Sequence, residues 1–147
     1  MNEDTFHLGI KTIIRDQEGK ILLLKVNKKQ LYGFDGEPYW DIPGGRIQRG
    51  GTVEDTLKRE VEEETGIKTV KEIRPLEMVL SNIRIPLPES DDVGLILYVN
   101  TCEVDHTENI VLSEEHTDFD WFNPEEAAKR LEFKYPKELT EKVAKLA

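Results

Sequence analysis

Two runs rich in isoleucine and leucine open the chain, His7 to Ile14 and Lys20 to Val26, separated by the turn composition Asp16-Gln17-Glu18-Gly19. The pattern predicts two strands joined as a hairpin. A calcium loop at Asp16 is excluded by the missing later acidic ligands. Asn27 to Pro38 is polar, contains Gly33 and Gly36, and reads as a long loop; Lys28, Lys29, Tyr32 and Phe34 are its substrate-reaching candidates. A short strand, Tyr39 to Ile42, runs into Pro43-Gly44-Gly45, with Trp40 expected to pack rather than to stack on a base. Strand-like character returns from Val70 to Arg84, and Pro86, Pro88 and Glu89 to Asp92 are expected to form a loop. Val93 to Val104 is apolar enough to lie centrally in a sheet. Ser113 to His116 introduces a last strand, Phe119 to Phe122; Asn123-Pro124 caps a helix through Leu131, and Pro136 starts another. The order of elements predicts a single α/β domain over residues 1–147, with a mixed sheet between helices.

The segment between these strands has a helical stripe. From Thr52, a suitable N-cap, to Gly66, a suitable C-cap, Val53, Leu57 and Val61 share one face while Asp55, Lys58 and Glu62 point to the other side. Glu60, Glu63 and Glu64 fit neither face. On the helical wheel Glu64 points between Val53 and Leu57, at the core edge. Like charges at these spacings destabilise a helix by roughly 0.2 to 0.5 kcal/mol per pair, and partial burial adds a desolvation cost. A divalent cation supplies the missing counter-charge. Several carboxylates suit Mg²⁺ or Mn²⁺, and no Cys/His cluster has the spacing of a zinc site. The plainer reading is a solvated acidic face. Against it stand the preceding glycines, whose backbone N–H groups can approach an anion; Gly44, Gly45 and Arg46 are the candidate contacts for a substrate phosphate.

Net charge of -10 opposes non-specific binding to nucleic acid or anionic membrane. A small anionic ligand then has to arrive with a metal or meet a local basic patch. Cys102 is the single cysteine, so no intrachain disulfide forms, and the expected compartment is the cytoplasm. No apolar run approaches the roughly 20 residues of a membrane span.

The stretch from Gly45 to Ile67 resembles the Nudix box, written G-x5-E-x7-R-E-U-x-E-E-x-G-U with U a bulky aliphatic residue. Gly45, Arg59, Glu60, Val61, Glu63, Glu64, Gly66 and Ile67 occupy eight of its nine specified positions, and the match covers 23 of 147 residues. Gly51 stands where the family normally has a glutamate. The resemblance implies an α/β/α sandwich and metal-dependent hydrolysis of a pyrophosphate linkage in a nucleoside diphosphate joined to a further group. It implies Glu60, Glu63 and Glu64 as metal ligands, with Glu63 also among the catalytic residues, and Arg59 as the residue that orients these carboxylates. In some family members a distal-loop glutamate serves as base or extra ligand; Glu115 is the candidate here, Glu114 its neighbour, and His116 is expected to be structural. The expected substrate is a nucleoside triphosphate or modified nucleotide, with ADP-ribose or a nucleotide sugar as the alternative. A non-catalytic nucleotide-binding module is the contrasting class, raised by Gly51. The expected assembly is a monomer or homodimer.

Overall fold

A computed structural model describes residues 2–105 and 109–146. Strands β1 (Phe6–Arg15) and β2 (Ile21–Val26) form the expected hairpin. Its turn is held by the Asp16 carboxylate, which accepts from the N–H groups of Glu18 and Lys20. Next come β3 (Trp40–Asp41), β4 (Gly44–Arg46), helix α1 (Val53–Thr65), β5 (Lys71–Leu80), β6 (Ile85–Leu87), β7 (Ser90–Glu103), β8 (His116–Phe122) and helices α2 (Pro124–Arg130) and α3 (Lys137–Ala144).

The central path of the mixed sheet runs β3-β2-β1-β7-β5, with β8 antiparallel to β2 and β4 antiparallel to β1. The β1–β7 pair is parallel; β7 also pairs antiparallel with β5, so its continuous apolar sequence is central, as expected. Neighbouring side chains on a strand face opposite sides. In β1 and β2, Ile13, Ile21 and Leu23 therefore join Leu131, Leu139 and Val143 beneath α2 and α3, while Ile10, Ile14, Leu22 and Leu24 join Leu57 and Val61 beneath α1. Isoleucine and leucine on both faces of one strand make a sheet buried on both sides: the α/β/α sandwich.

The segment around Pro86 departs from expectation. Instead of a loop, β6 and the start of β7 form a hairpin, with Ile85 opposite Val93 and Leu87 opposite Ser90. Proline lacks a donor, but a short strand with only one partner strand tolerates it. Gly44 and Gly45, expected in a loop, lie in β4, where they pair with Lys11 and Ile10. The requirement for glycine is steric, since a Cβ at Gly44, with φ near +153°, would lie 2.1 Å from the Ile10 carbonyl oxygen. Trp40, half-buried, packs edge-on against Phe122, its ring centroid 5.3 Å away, as expected.

No helix among the described residues is long and apolar enough to cross a membrane. Helix α1 begins with the Thr52 hydroxyl accepting from the Asp55 N–H and ends at Gly66, φ 80°, whose N–H donates to the Glu62 carbonyl. Its attachment to the sheet depends on Leu57, 1% exposed. Leu57→Ala should destabilise the protein by about 2 to 5 kcal/mol, the range for truncating a buried leucine, measured as a lowered urea midpoint.

Candidate active site

The inward edge of α1 meets β4 and the start of β8 at the wall of a cavity of about 650 Å³, a size suited to a small molecule. Glu60 and Glu64 line it; Glu63, three residues from Glu60, does not. The Glu60 side chain is 15% exposed and that of Glu63 60% exposed. Glu64 is buried, and its Oε1 accepts from the Gly44 N–H at 2.9 Å. This N–H, expected to face a substrate phosphate, holds a carboxylate of the protein itself. Gly45 forms a cradle for Glu60, because a Cβ there would lie 2.5 Å from Glu60 Cδ. Arg46 lines the cavity, and its guanidinium lies 3.1 Å from His7 Nδ1.

Arg59 lies 3.2 Å from Glu60 Oε1 and 3.9 Å from Glu63 Oε1. Glu54, five residues before it, pairs with Lys58 instead. Without a glutamate at Gly51, Arg59 thus rests on two box carboxylates. The positive φ of this loop belongs to Gly50, at +84°; a Cβ at Gly51 would meet the Gln48 carbonyl oxygen at 3.2 Å.

Glu115 arrives from the segment before β8, held from below by Asn27, whose N–H donates to the Glu115 carbonyl and whose Nδ2 donates to the Glu114 carbonyl. Glu115 lines the cavity and Glu114 does not. One ligand atom each from Glu64, Glu115 and His116 lies within 4.8 Å of the others. Burial pushes the Glu64 carboxyl up to about 9; the Lys11 charge and the Gly44 N–H oppose this, and the adjoining Glu115 carboxylate adds to it. Burial likewise pushes His116 down to about 4, leaving its imidazole neutral, and its Nδ1 is buried without a hydrogen-bond partner. Two carboxylates, one of them dry, beside a neutral imidazole form a donor set that fits a divalent cation.

The sequence reading missed a buried cluster of charges in the cavity lining, beside Glu64 and His116. Lys11 of β1 and Lys134, from the turn between α2 and α3, both contact Asp41 Oδ2, at 3.3 and 2.6 Å. Tyr135 Oη and the Ile42 N–H donate to Asp41 Oδ1. Burial by itself would raise the Asp41 carboxyl, but the two ammonium groups hold it below the usual carboxylate range. A lysine inside the apolar run of β1 was the available signal. Lys134 had none, because its distance in sequence from Asp41 conceals their contact. Of the long-loop candidates, Tyr32 and Phe34 line the cavity; Lys28 and Lys29 do not.

Residues 5–143 match the family model described as NUDIX domain. The chain belongs to the Nudix family and is an enzyme of the Nudix pyrophosphohydrolase class. It is similar to nucleoside triphosphatase NudI of Escherichia fergusonii, 30% identical over 107 residues, covering 65% of this chain and 67% of that protein. It is also similar to an 8-oxo-dGTP diphosphatase of Haemophilus influenzae, 44% identical over 55 residues, covering 37% of this chain and 38% of the relative. Among solved structures, the MutT protein from Methanosarcina mazei Go1 superposes with a TM-score of 0.63 at 23% identity, over 99% of this chain and 96% of that one, a likeness of fold.

Glu64 titrates far above its unfolded value of 4.5. Its contribution to the stability of the metal-free protein is therefore fully present below about pH 4.5 and is lost as pH rises towards 9. Glu64→Gln keeps an acceptor for the Gly44 N–H and removes the charge. In EDTA at pH 8 its Tm should exceed that of the wild type by about 3 °C or more, the shift that about 1 kcal/mol gives at this chain length. The gap should close at pH 5. Mn²⁺ should raise the wild-type Tm and leave the variant unmoved.

Proposed function

We propose that this protein is a divalent-metal-dependent hydrolase that cleaves a pyrophosphate linkage in a nucleoside triphosphate or modified nucleotide. The observation that carries this reading is the convergence of Glu64 and Glu115, which are far apart in sequence, on one wall of the cavity. The triphosphate preference draws on the nucleoside triphosphatase and 8-oxo-dGTP diphosphatase activities in the relatives' names.

In this reading Glu64, Glu115 and His116 would hold Mg²⁺ or Mn²⁺, Glu60 adds a further carboxylate to the same cavity, and Glu63 supports Glu60 from outside through Arg59. The ion, when bound, neutralises charge on phosphate oxygens and lowers the pKa of water. The chain's own work is positioning, which dominates catalysis of phosphoryl transfer. Arg59 fixes the Glu60 carboxylate against Gly45 and limits its swing. Gly44 fixes Glu64. Glu115, exposed and with its carboxylate against that of Glu64, has a second carboxylate oxygen that would take the proton of the attacking water. The Arg46 guanidinium is the group assigned to phosphate; the Gly45 N–H faces Ile10 in the β1–β4 ladder. A second reading, nucleotide binding without turnover, draws on Gly51, which leaves Arg59 shared between Glu60 and Glu63.

Phosphate or pyrophosphate release should be measured from a panel of nucleoside triphosphates, ADP-ribose and a nucleotide sugar. Release is expected with Mg²⁺ or Mn²⁺ and should stop in EDTA; a wild type inactive across the panel with either ion overturns the enzyme reading. Glu115→Gln should lower kcat by at least about 10²-fold, and Glu114→Gln should have little effect. Equal, small effects would remove Glu115 from the mechanism. Gly51→Glu requires the Gln48 carbonyl to yield by a few tenths of an ångström; if it does, kcat/KM should hold or rise, read alongside Tm.

A further inference from the structure

His116 is placed by the sheet. It opens β8 opposite Val26, its N–H donates to the Ser113 carbonyl at 3.4 Å, and its side chain lines the cavity. The residue is 8% exposed, and its Nδ1 is buried without a hydrogen-bond partner among the described residues. Buried polar atoms left unpaired are costly, so nearly all of them in folded proteins meet a protein group, a water or an ion.

The neighbours of the ring point to an ion. One oxygen each from Glu64 and Glu115 lies within 4.8 Å of one of its nitrogens. Lys11 and Lys134 act on the ring as well, but both ammonium groups are tied to Asp41. With Glu64 ionised, the carboxylates of Asp41, Glu64 and Glu115 outnumber the two ammonium groups, and Glu60 adds another to the same cavity. A ring nitrogen among carboxylates also has a chemical preference. Mg²⁺ is a hard cation that takes oxygen ligands, whereas affinity for a site containing nitrogen rises along the first transition series from Mn²⁺ to Co²⁺.

We propose that His116 gives a ring nitrogen to the ion held by Glu64 and Glu115, and so selects a divalent transition ion, Mn²⁺ or Co²⁺, over Mg²⁺. Its place at the start of a paired strand fixes the nitrogen where the two carboxylates converge. A ligand carried on a strand is held more firmly than one on a loop. Glu115 precedes it in the chain and brings an oxygen to the same point.

This inference rests on the metal-dependent reading above, which admits either Mg²⁺ or Mn²⁺, and metal binding separates the two from turnover. Affinities of the nucleotide-free protein for Mg²⁺, Mn²⁺ and Co²⁺ should be measured by calorimetry, and the Mn²⁺ form probed by pulsed electron paramagnetic resonance. Mg²⁺ is expected to bind most weakly and Co²⁺ most tightly, with nitrogen hyperfine coupling in the Mn²⁺ spectrum. His116→Gln should remove that coupling and weaken Mn²⁺ and Co²⁺ by at least about tenfold, the loss that follows removal of even a group that only orients a ligand. Mg²⁺ should lose much less. A histidine that merely meets a water would give a wild-type spectrum without nitrogen coupling and unchanged affinities in the variant, which overturns the proposal. An equal loss for all three ions overturns it too, as does a wild type that binds none of them. Should His116→Gln fail to fold, the double variant His7→Gln, His106→Gln leaves His116 the single histidine of the chain: coupling retained there sustains the assignment, and coupling lost overturns it. Turnover by a protein whose metal affinities ignore His116 leaves the hydrolase reading standing and overturns the selection. Nitrogen-ligated Mn²⁺ with no nucleotide hydrolysed overturns the hydrolase reading alone.

Discussion

A carboxylate taken out of water must be answered by opposite charge, by hydrogen bonds or by a proton. Glu64 is such a group. Packing of Val53, Leu57 and Val61 onto the sheet brings Glu64 inward with them, because it shares their side of the helix. Inside, it meets a glycine N–H, the charge of Lys11 and a second carboxylate, Glu115. In the absence of a cation the least costly answer is a proton, hence the elevation of its carboxyl. A divalent ion answers the same demand and brings Glu115 and the neutral His116 with it. The apolar stripe that docks α1 thus builds the electrostatic need that a metal satisfies.

The same helix sorts its remaining glutamates by angle. Glu60 is seated against Gly45, where no side chain fits, while Glu63 reaches solvent and contacts the site only through Arg59. Glycine at 44 and 45 accordingly serves packing before phosphate: one position allows β4 to lie against β1, and the other leaves room for a carboxylate. Gly51 shifts the burden of holding Arg59 onto Glu60 and Glu63.

Charge of both signs lines the cavity of this strongly acidic chain. The Lys11–Asp41–Lys134 cluster lies next to the carboxylates, Lys11 acting on Glu64 and all three acting on His116, with the Tyr39 ring and the aromatic side chains of the long loop also lining the cavity. Net charge says nothing about this arrangement, because it arises from a few side chains that folding removes from water.

Periodicity is local, and so the sequence alone determined what depends on it. The caps of α1, its apolar stripe, the misplaced glutamates, the Asp16 turn and the central place of β7 were all legible from neighbours within a few residues. The box spacing added the family and the sandwich fold. Tertiary structure decided what depends on register and long-range pairing. Whether Pro86 lies in a loop or a hairpin depends on β7 reaching back to Ser90. Which glutamate of the 114–115 pair faces α1 depends on the β2–β8 register, Val26 opposite His116 with an irregularity at Lys25, and on Asn27 below it. Lys134 and Asp41 are joined only when α2 and α3 close over the sheet, 93 residues apart in the chain. No local pattern encodes these contacts, because each is fixed by the packing of elements whose order in space differs from their order in sequence.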